Sequence, residues 1–281
     1  MISPPAFYCI LLLAIPLGTV ILFSFFTDGR TETGLRTALP ILTFANYVEV
    51  WTNPIYQLLM MRSLTVSMSV TLITVLLAYP VAYYVSFHVA PSRKSIWLFL
   101  ITIPFWTSYL IRVFLWKVIL GYNGVVNSGL MNLGIISEPL QWINYNAGAL
   151  VMTLAHAYAP FAILPIFVAL EKIDRSLLEA GQDLGESKFV TFLRVTLPLS
   201  MAGVIAAVLI VFIPTVGDYV TPDLIGGGKL PMIANNIEVQ MLKLNNRALG
   251  SALAVSAMLI VAVVTLIFLA LNRRFLRGGG R

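Results

Sequence analysis

Six stretches of mostly apolar residues dominate the chain: about Ala6–Phe26, Leu64–Phe87, Ser95–Leu120, Gly148–Leu170, Leu199–Val216 and Ala252–Leu271. Each has roughly the 20 residues that a helix needs to cross the hydrocarbon core of a bilayer. Polar runs such as Thr27-Asp28-Gly29-Arg30 and Pro91-Ser92-Arg93-Lys94 separate them. Only 11% of the 281 residues are charged, against roughly 25% in a soluble domain, so no water-soluble fold covers this much apolar surface. The composition excludes a soluble enzyme, a disordered chain and a nucleic-acid-binding module. The expected fold is all-α: a polytopic membrane protein of six transmembrane helices, with residues 1–281 forming a single transmembrane domain.

An even number of spans places both termini on one side, and basic residues indicate which. The side that holds the termini carries ten of the eighteen Lys and Arg residues, among them Arg273, Arg274 and Arg277; the other carries six. Both termini are therefore expected in the cytoplasm. Met1–Pro5 carry no Lys or Arg, so the first stretch reads as a retained membrane helix rather than a signal peptide. Proline recurs within the spans, at Pro16, Pro80, Pro104, Pro160, Pro165 and Pro214. Each removes a backbone donor and bends its helix, which neighbouring helices in a bundle tolerate.

Little in the chain supports covalent chemistry. The lone cysteine, Cys9, excludes an internal disulfide, and His88 and His156 form no metal-ligand pattern. Gly226-Gly227-Gly228-Lys229-Leu230 lacks the earlier Gly and the Ser or Thr after Lys that a P-loop requires, so it reads as a loop and the chain has no nucleotide site of its own. An ion-driven secondary transporter of a small polar solute is an alternative; it predicts acids within spans and an inverted repeat, and neither is evident. A membrane-embedded enzyme lacks its catalytic constellation.

The inner connection before the fifth span, residues 171–198, is long and charged. Over Glu171–Asp183 a helix places Ile173, Leu177, Ala180 and Leu184 on one face. Gly185 permits a sharp turn, and Phe189, Phe192 and Val195 continue an apolar stripe. Such an amphipathic elbow either lies on lipid or docks in a groove on a soluble partner. It reads Glu179-Ala180-Gly181, three residues, Gly185, nine residues, then Val195-Thr196-Leu197-Pro198. This resembles the EAA loop of binding-protein-dependent ABC importer permeases, Glu-Ala-Ala, three residues, Gly, nine residues, Ile-x-Leu-Pro. Gly181 stands for the second Ala and Val195 for Ile.

The resemblance implies the type I importer permease fold, with Glu179, Ala180, Gly181, Gly185, Leu197 and Pro198 forming the contact to a separate ATPase subunit. It also implies a second, homologous permease, an external substrate-binding protein, and ATP and Mg bound by the partner rather than by this chain. Two further segments, Ile103–Arg112 leading to Trp116, and Gly217–Gly227, with Gly121–Asn127, resemble the spermidine/putrescine permeases of the PotB type, from about Arg62 onward. That branch implies a polyamine or related cation as substrate. Trp106, Tyr109, Asp218 and Tyr219 are then candidates for the path: a carboxylate near the membrane is costly unless it is paired or solvated, and aromatic faces attract ammonium groups. The aromatic residues equally fit an interfacial belt that needs no ligand. Arg112 and Lys117 oppose a uniformly acidic path, and seven outer acids against six outer bases make no cation funnel, so the polyamine expectation rests on the resemblance.

Overall fold

The computed structural model describes residues 7–8, 10–27, 41–141 and 146–277. Cys9 and four charges of the first outer segment, Asp28, Arg30, Glu32 and Arg36, lie outside the described residues, as does Arg281. Among the described residues the regular structure is helical, apart from one isolated antiparallel bridge between Phe26 and Leu42.

In chain order the helices are α1 (Ile10–Ser24), α2 (Ala45–Thr52), α3 (Pro54–Phe87), α4 (Pro91–Thr102), α5 (Tyr109–Ile119), α6 (Val125–Asn132), α7 (Ala147–Glu171), α8 (Arg175–Asp183), α9 (Lys188–Val216), α10 (Val220–Ile225), α11 (Ile233–Glu238), α12 (Arg247–Leu271) and α13 (Arg273–Arg277). Four of them, α3, α7, α9 and α12, are long and apolar enough to cross a membrane. The first apolar stretch supplies the shorter α1.

The third expected span is not one helix. Its halves, Pro91–Trp106 and Tyr109–Ile119, meet at 87°. Pro104 sits in a 3-10 turn, Ile103–Trp106, and cannot donate to the helical ladder. Thr107 and Ser108 then take extended backbone, with ψ of 143° and 138°, and the ladder stops. The second span differs in the other direction: α3 starts at Pro54, ten residues before the expected Leu64. Proline is suited to the first helical position, and the Asn53 side chain accepts from the Ile55 amide at 2.9 Å. At 34 residues α3 is about 50 Å long, more than the hydrocarbon core requires.

The chain divides into two compact units. One comprises Met1–Leu64, Gly217–Tyr219 and Pro231–Val263. Within it, Asn46 donates to the Ser24 and Phe26 carbonyls at 2.9 and 2.8 Å, and the hydroxyls of Ser24 and Tyr47 share a 2.7 Å hydrogen bond. Ser63 accepts from the Ile233 amide at 2.8 Å, and Asn235 donates to the Tyr219 carbonyl at 2.7 Å. The other unit comprises Thr65–Val216, Val220–Leu230 and Val264–Arg281. Its core is the pair α7 and α9, which bury Leu150, Leu154, Ile166 and Leu170 from one helix and Ile205 and Val211 from the other.

Gly203 sets how closely α7 and α9 approach. A Cβ there would come within 2.5 Å of the Ala169 Cβ and of the Pro165 carbonyl oxygen. Small residues at such crossings let backbones meet where lipid offers no hydrophobic drive to associate. Gly203→Val is expected to destabilise by about 1–3 kcal/mol through overpacking. Gly129→Ala, where a Cβ meets open space, is expected to leave the thermal midpoint unchanged or raised. Thermal unfolding of the two purified variants in detergent checks this.

Candidate functional site

The elbow is built by two breaks. α7 stops at Glu171, and Asp174 caps a new helix by accepting from the Ser176 amide at 3.0 Å. Those hydrogen bonds hold the Asp174 carboxyl below the usual aspartate range. The expected helix from Glu171 therefore begins at Arg175, because Lys172 and Ile173 turn the chain before the cap. Its end is fixed at Gly185, whose φ of +84° is the left-handed conformation that favours glycine. The Gly185 amide donates to Gln182 at 2.9 Å and the Glu186 amide to Gly181 at 3.1 Å, which closes a Schellman turn.

Ser187 then caps α9, its hydroxyl accepting from the Val190 amide. α9 passes through a π-helical turn, Phe192–Thr196. Pro198 explains the turn: it has no N–H to offer, and the Leu197 amide reaches back five residues to the Phe192 carbonyl. Gly181 is buried against Thr191, where a Cβ would lie 3.1 Å from the Thr191 methyl. The absent side chain thus admits a close contact between the two arms of the elbow.

Glu179 and Ala180 are exposed, whereas Leu197 and Pro198 are half-buried. The apolar face divides: Ile173 is buried, while Leu177 is 46%, Leu184 86% and Phe189 68% exposed. The elbow therefore carries an outward apolar patch.

A clamp with no local signature roots the elbow. Glu171 accepts from the Ser86 hydroxyl and from the Lys94 ammonium, each at 2.6 Å. Arg175 donates to the Ser86 carbonyl at 3.1 Å and lies 5.8 Å from the centre of the Phe87 ring. The end of α3 and the start of α4 thereby grip the junction of α7 and α8. Sequence reasoning missed this because the partners lie 77 and 85 positions from Glu171.

The candidate path residues fall two in each unit. In the larger unit, Tyr109 shares a 2.6 Å hydrogen bond with Thr221 of α10, and the Arg112 guanidinium lies 6.0 Å from the Tyr109 ring centre. Trp106, 75% exposed, closes the 3-10 turn with an edge contact to Phe99. Trp116 donates to His156 Nδ1 at 3.1 Å. Asn127 is buried and ties the loop together, donating to the carbonyls of Gly121, Tyr122 and Leu140 and accepting from the Leu140 amide. In the other unit Asp218 is buried, at 8% exposure, and Tyr219 is exposed. Gly227 and Gly228 follow α10 with φ of 58° and 71°, a turn and not a phosphate-binding loop.

Residues 6–277 match the family described as binding-protein-dependent transport system inner membrane component. The chain belongs to this family. The match begins at residue 6, well before the Arg62 from which the resemblance was legible. The permease is 37% identical to the spermidine/putrescine transport system permease protein PotB of Haemophilus influenzae, over 84% of this chain and 81% of that protein. It is 34% identical to the Escherichia coli protein of the same name, over 83% of this chain and 84% of that one. Among solved structures, a bacterial ABC transporter involved in the import of the acidic polysaccharide alginate matches with a TM-score of 0.74 at 17% identity, over 98% of this chain and 94% of that chain. That likeness gives the fold. The permease is thus a membrane transport subunit of an ABC importer, and the ion-driven alternative has no support.

The cap yields a pH prediction. A carboxyl held low when folded contributes stability above its unfolded pKa and loses it as pH falls through the folded value. Amide protection in α8 is therefore expected to fall as pH drops below the ordinary aspartate range, and Asp174→Ala to lower it at neutral pH while Asp174→Asn does not. Hydrogen exchange of the Ser176–Leu178 amides, corrected for intrinsic rates, measures this.

Proposed function

We propose that this permease subunit imports polyamines such as spermidine and putrescine, or a related small organic cation. It lines half of the translocation path and a second, homologous permease lines the other half. An external binding protein delivers the substrate. Separate ATPase subunits bind ATP and Mg and grip the elbow through Glu179, Ala180, Gly181, Gly185, Leu197 and Pro198. Both termini lie in the cytoplasm, on the same side as the elbow.

The observation that carries the coupling role is the elbow itself. A capped helix, a left-handed turn at Gly185 and a second helix entering α9 present Leu177, Leu184 and Phe189 outward from a clamped root. An exposed apolar patch on a rigid helix suits a groove on a soluble partner. ATP closure of the motor subunits then biases the path, because the coupling is a difference in free energy between two states that both sites sense. The substrate assignment rests on the PotB relatives. Asp218 offers a buried carboxylate, and Trp106, Tyr109 and Tyr219 offer ring faces to an ammonium group.

Gly185→Pro or Glu179→Lys is expected to abolish co-purification of the ATPase subunit while membrane insertion stays intact; a normal yield of complex from both contradicts the coupling role. Asp218→Asn is expected to lower spermidine uptake by about tenfold at unchanged complex yield, the loss of one charge-assisted contact. Unchanged uptake in reconstituted vesicles contradicts its place in the path.

A further inference from the structure

We propose that the apolar groove between α3, α9 and the last turns of α12 is a binding site for one anionic phospholipid, with an acyl chain in the groove and the headgroup phosphate on Arg273 and Arg274. The groove, about 470 Å³, runs past Leu72 and Val75 of α3, Val204 and Phe212 of α9, and Phe268 and Leu271 of α12. Its lining residues and both arginines belong to the larger unit.

The walls suit a hydrocarbon chain. Their surface is almost wholly apolar, and the groove is open to the outside, with Leu72 and Leu271 both well exposed. Thr71, in the wall, donates its hydroxyl to the Ser67 carbonyl at 2.7 Å. From Val204 to Phe212 the groove follows α9 for about 12 Å at 1.5 Å per residue, within the roughly 15 Å of hydrocarbon in one leaflet. No Gly, Ala or Ser lines it. Helices that pack together in a bilayer favour such small residues at the contact, as α7 and α9 do at Gly203. The branched and aromatic side chains here hold a second helix off. A flexible chain laid between them regains the dispersion contacts that an unfilled groove forgoes.

All three walls turn polar at the same end. One turn beyond Val75 and Val204, the hydroxyls of Tyr79 and Ser200 share a 2.8 Å hydrogen bond. Just beyond Leu271, Asn272 turns the chain, its side chain donating to the Phe268 carbonyl at 2.9 Å, and α13 packs against α9. There Arg273 and Arg274 are exposed, and among the described residues neither has an ion pair. No Asp or Glu occurs from Val239 to Arg281. A guanidinium receives a phosphate through paired N–H donors, and basic residues at the foot of a spanning helix attract anionic headgroups. A zwitterionic headgroup brings a cationic group that offsets this attraction. The occupant is therefore an anionic lipid of the leaflet on the C-terminal side. Seated between α9 and α12, its chain braces the end of α12. The site depends neither on which cation is imported nor on what grips the elbow.

The test uses the full chain in dodecyl maltoside, titrated in one arm with dioleoyl phosphatidylglycerol and in the other with dioleoyl phosphatidylcholine, which carries the same chains on a zwitterionic headgroup. The thermal midpoint and the lipid retained in native mass spectrometry are read. The expected result is a saturable rise in midpoint with phosphatidylglycerol at about tenfold lower concentration than phosphatidylcholine requires. The double variant Arg273→Gln, Arg274→Gln changes two exposed side chains and is expected to lose that preference. Val208→Trp, which fills the groove, is expected to lose the response to both lipids. If Val208→Trp does not fold, a photo-crosslinking residue at the exposed Leu72 takes its place, in the assembled transporter in vesicles of equal phosphatidylglycerol and phosphatidylcholine. Adducts mostly with phosphatidylglycerol are expected. Equal responses to the two lipids, a preference that survives the double variant, a response that survives Val208→Trp, or adducts with a second permease subunit in place of lipid overturns the proposal.

Discussion

Glu171 holds three parts of the chain at one point. Its carboxylate receives Ser86 from the end of α3 and Lys94 from the start of α4, each at 2.6 Å, and it is itself the last residue of α7. Arg175, the first residue of α8, closes the group from the other side through the Ser86 carbonyl. The Lys94 side chain is largely shielded, so the pair is less screened by water than an exposed surface ion pair would be. Without this clamp the elbow would be held to the bundle chiefly by its chain connections. With it, a force applied to α8 is carried to the ends of α3, α4 and α7.

Missing backbone donors shape the rest. In a bilayer every peptide group must be satisfied within the protein, so a proline that removes an N–H changes the path of the chain and not merely its stability. Pro104 and the extended Thr107 and Ser108 turn one apolar stretch into two helices at 87°. Pro198 forces the π-helical turn in α9, which both widens the second arm of the elbow and leaves the Thr196 hydroxyl unpartnered. The small residues complement these breaks. Gly203 lets α7 and α9 meet, and Gly181 lets the two arms of the elbow close on Thr191.

Much of this was legible in the sequence because it is local. Apolar runs of bilayer length announce α3, α7, α9 and α12, and the spacing from Glu179 through Gly185 to Pro198 announces the elbow and its left-handed turn. What failed was also physical. The 87° break depends on Ser108 and Thr107 leaving the helical region, which hydropathy does not record. The apolar face read across Glu171–Asp183 assumed a continuous helix. The Asp174 cap breaks it, sends Ile173 inward and leaves Leu177 and Leu184 outside. The clamp at Glu171 and the buried role of Asn127 depend on long-range or loop contacts that no periodicity encodes.

On the proposed reading, a motor protein holds the outward face of the elbow. A photo-crosslinking residue placed at Leu184, the most exposed apolar position of the elbow, tests it directly in the assembled transporter. The account predicts an adduct with the ATPase subunit, stronger with ATP than without nucleotide. Adducts with lipid alone, from a complex that retains its ATPase, would contradict it.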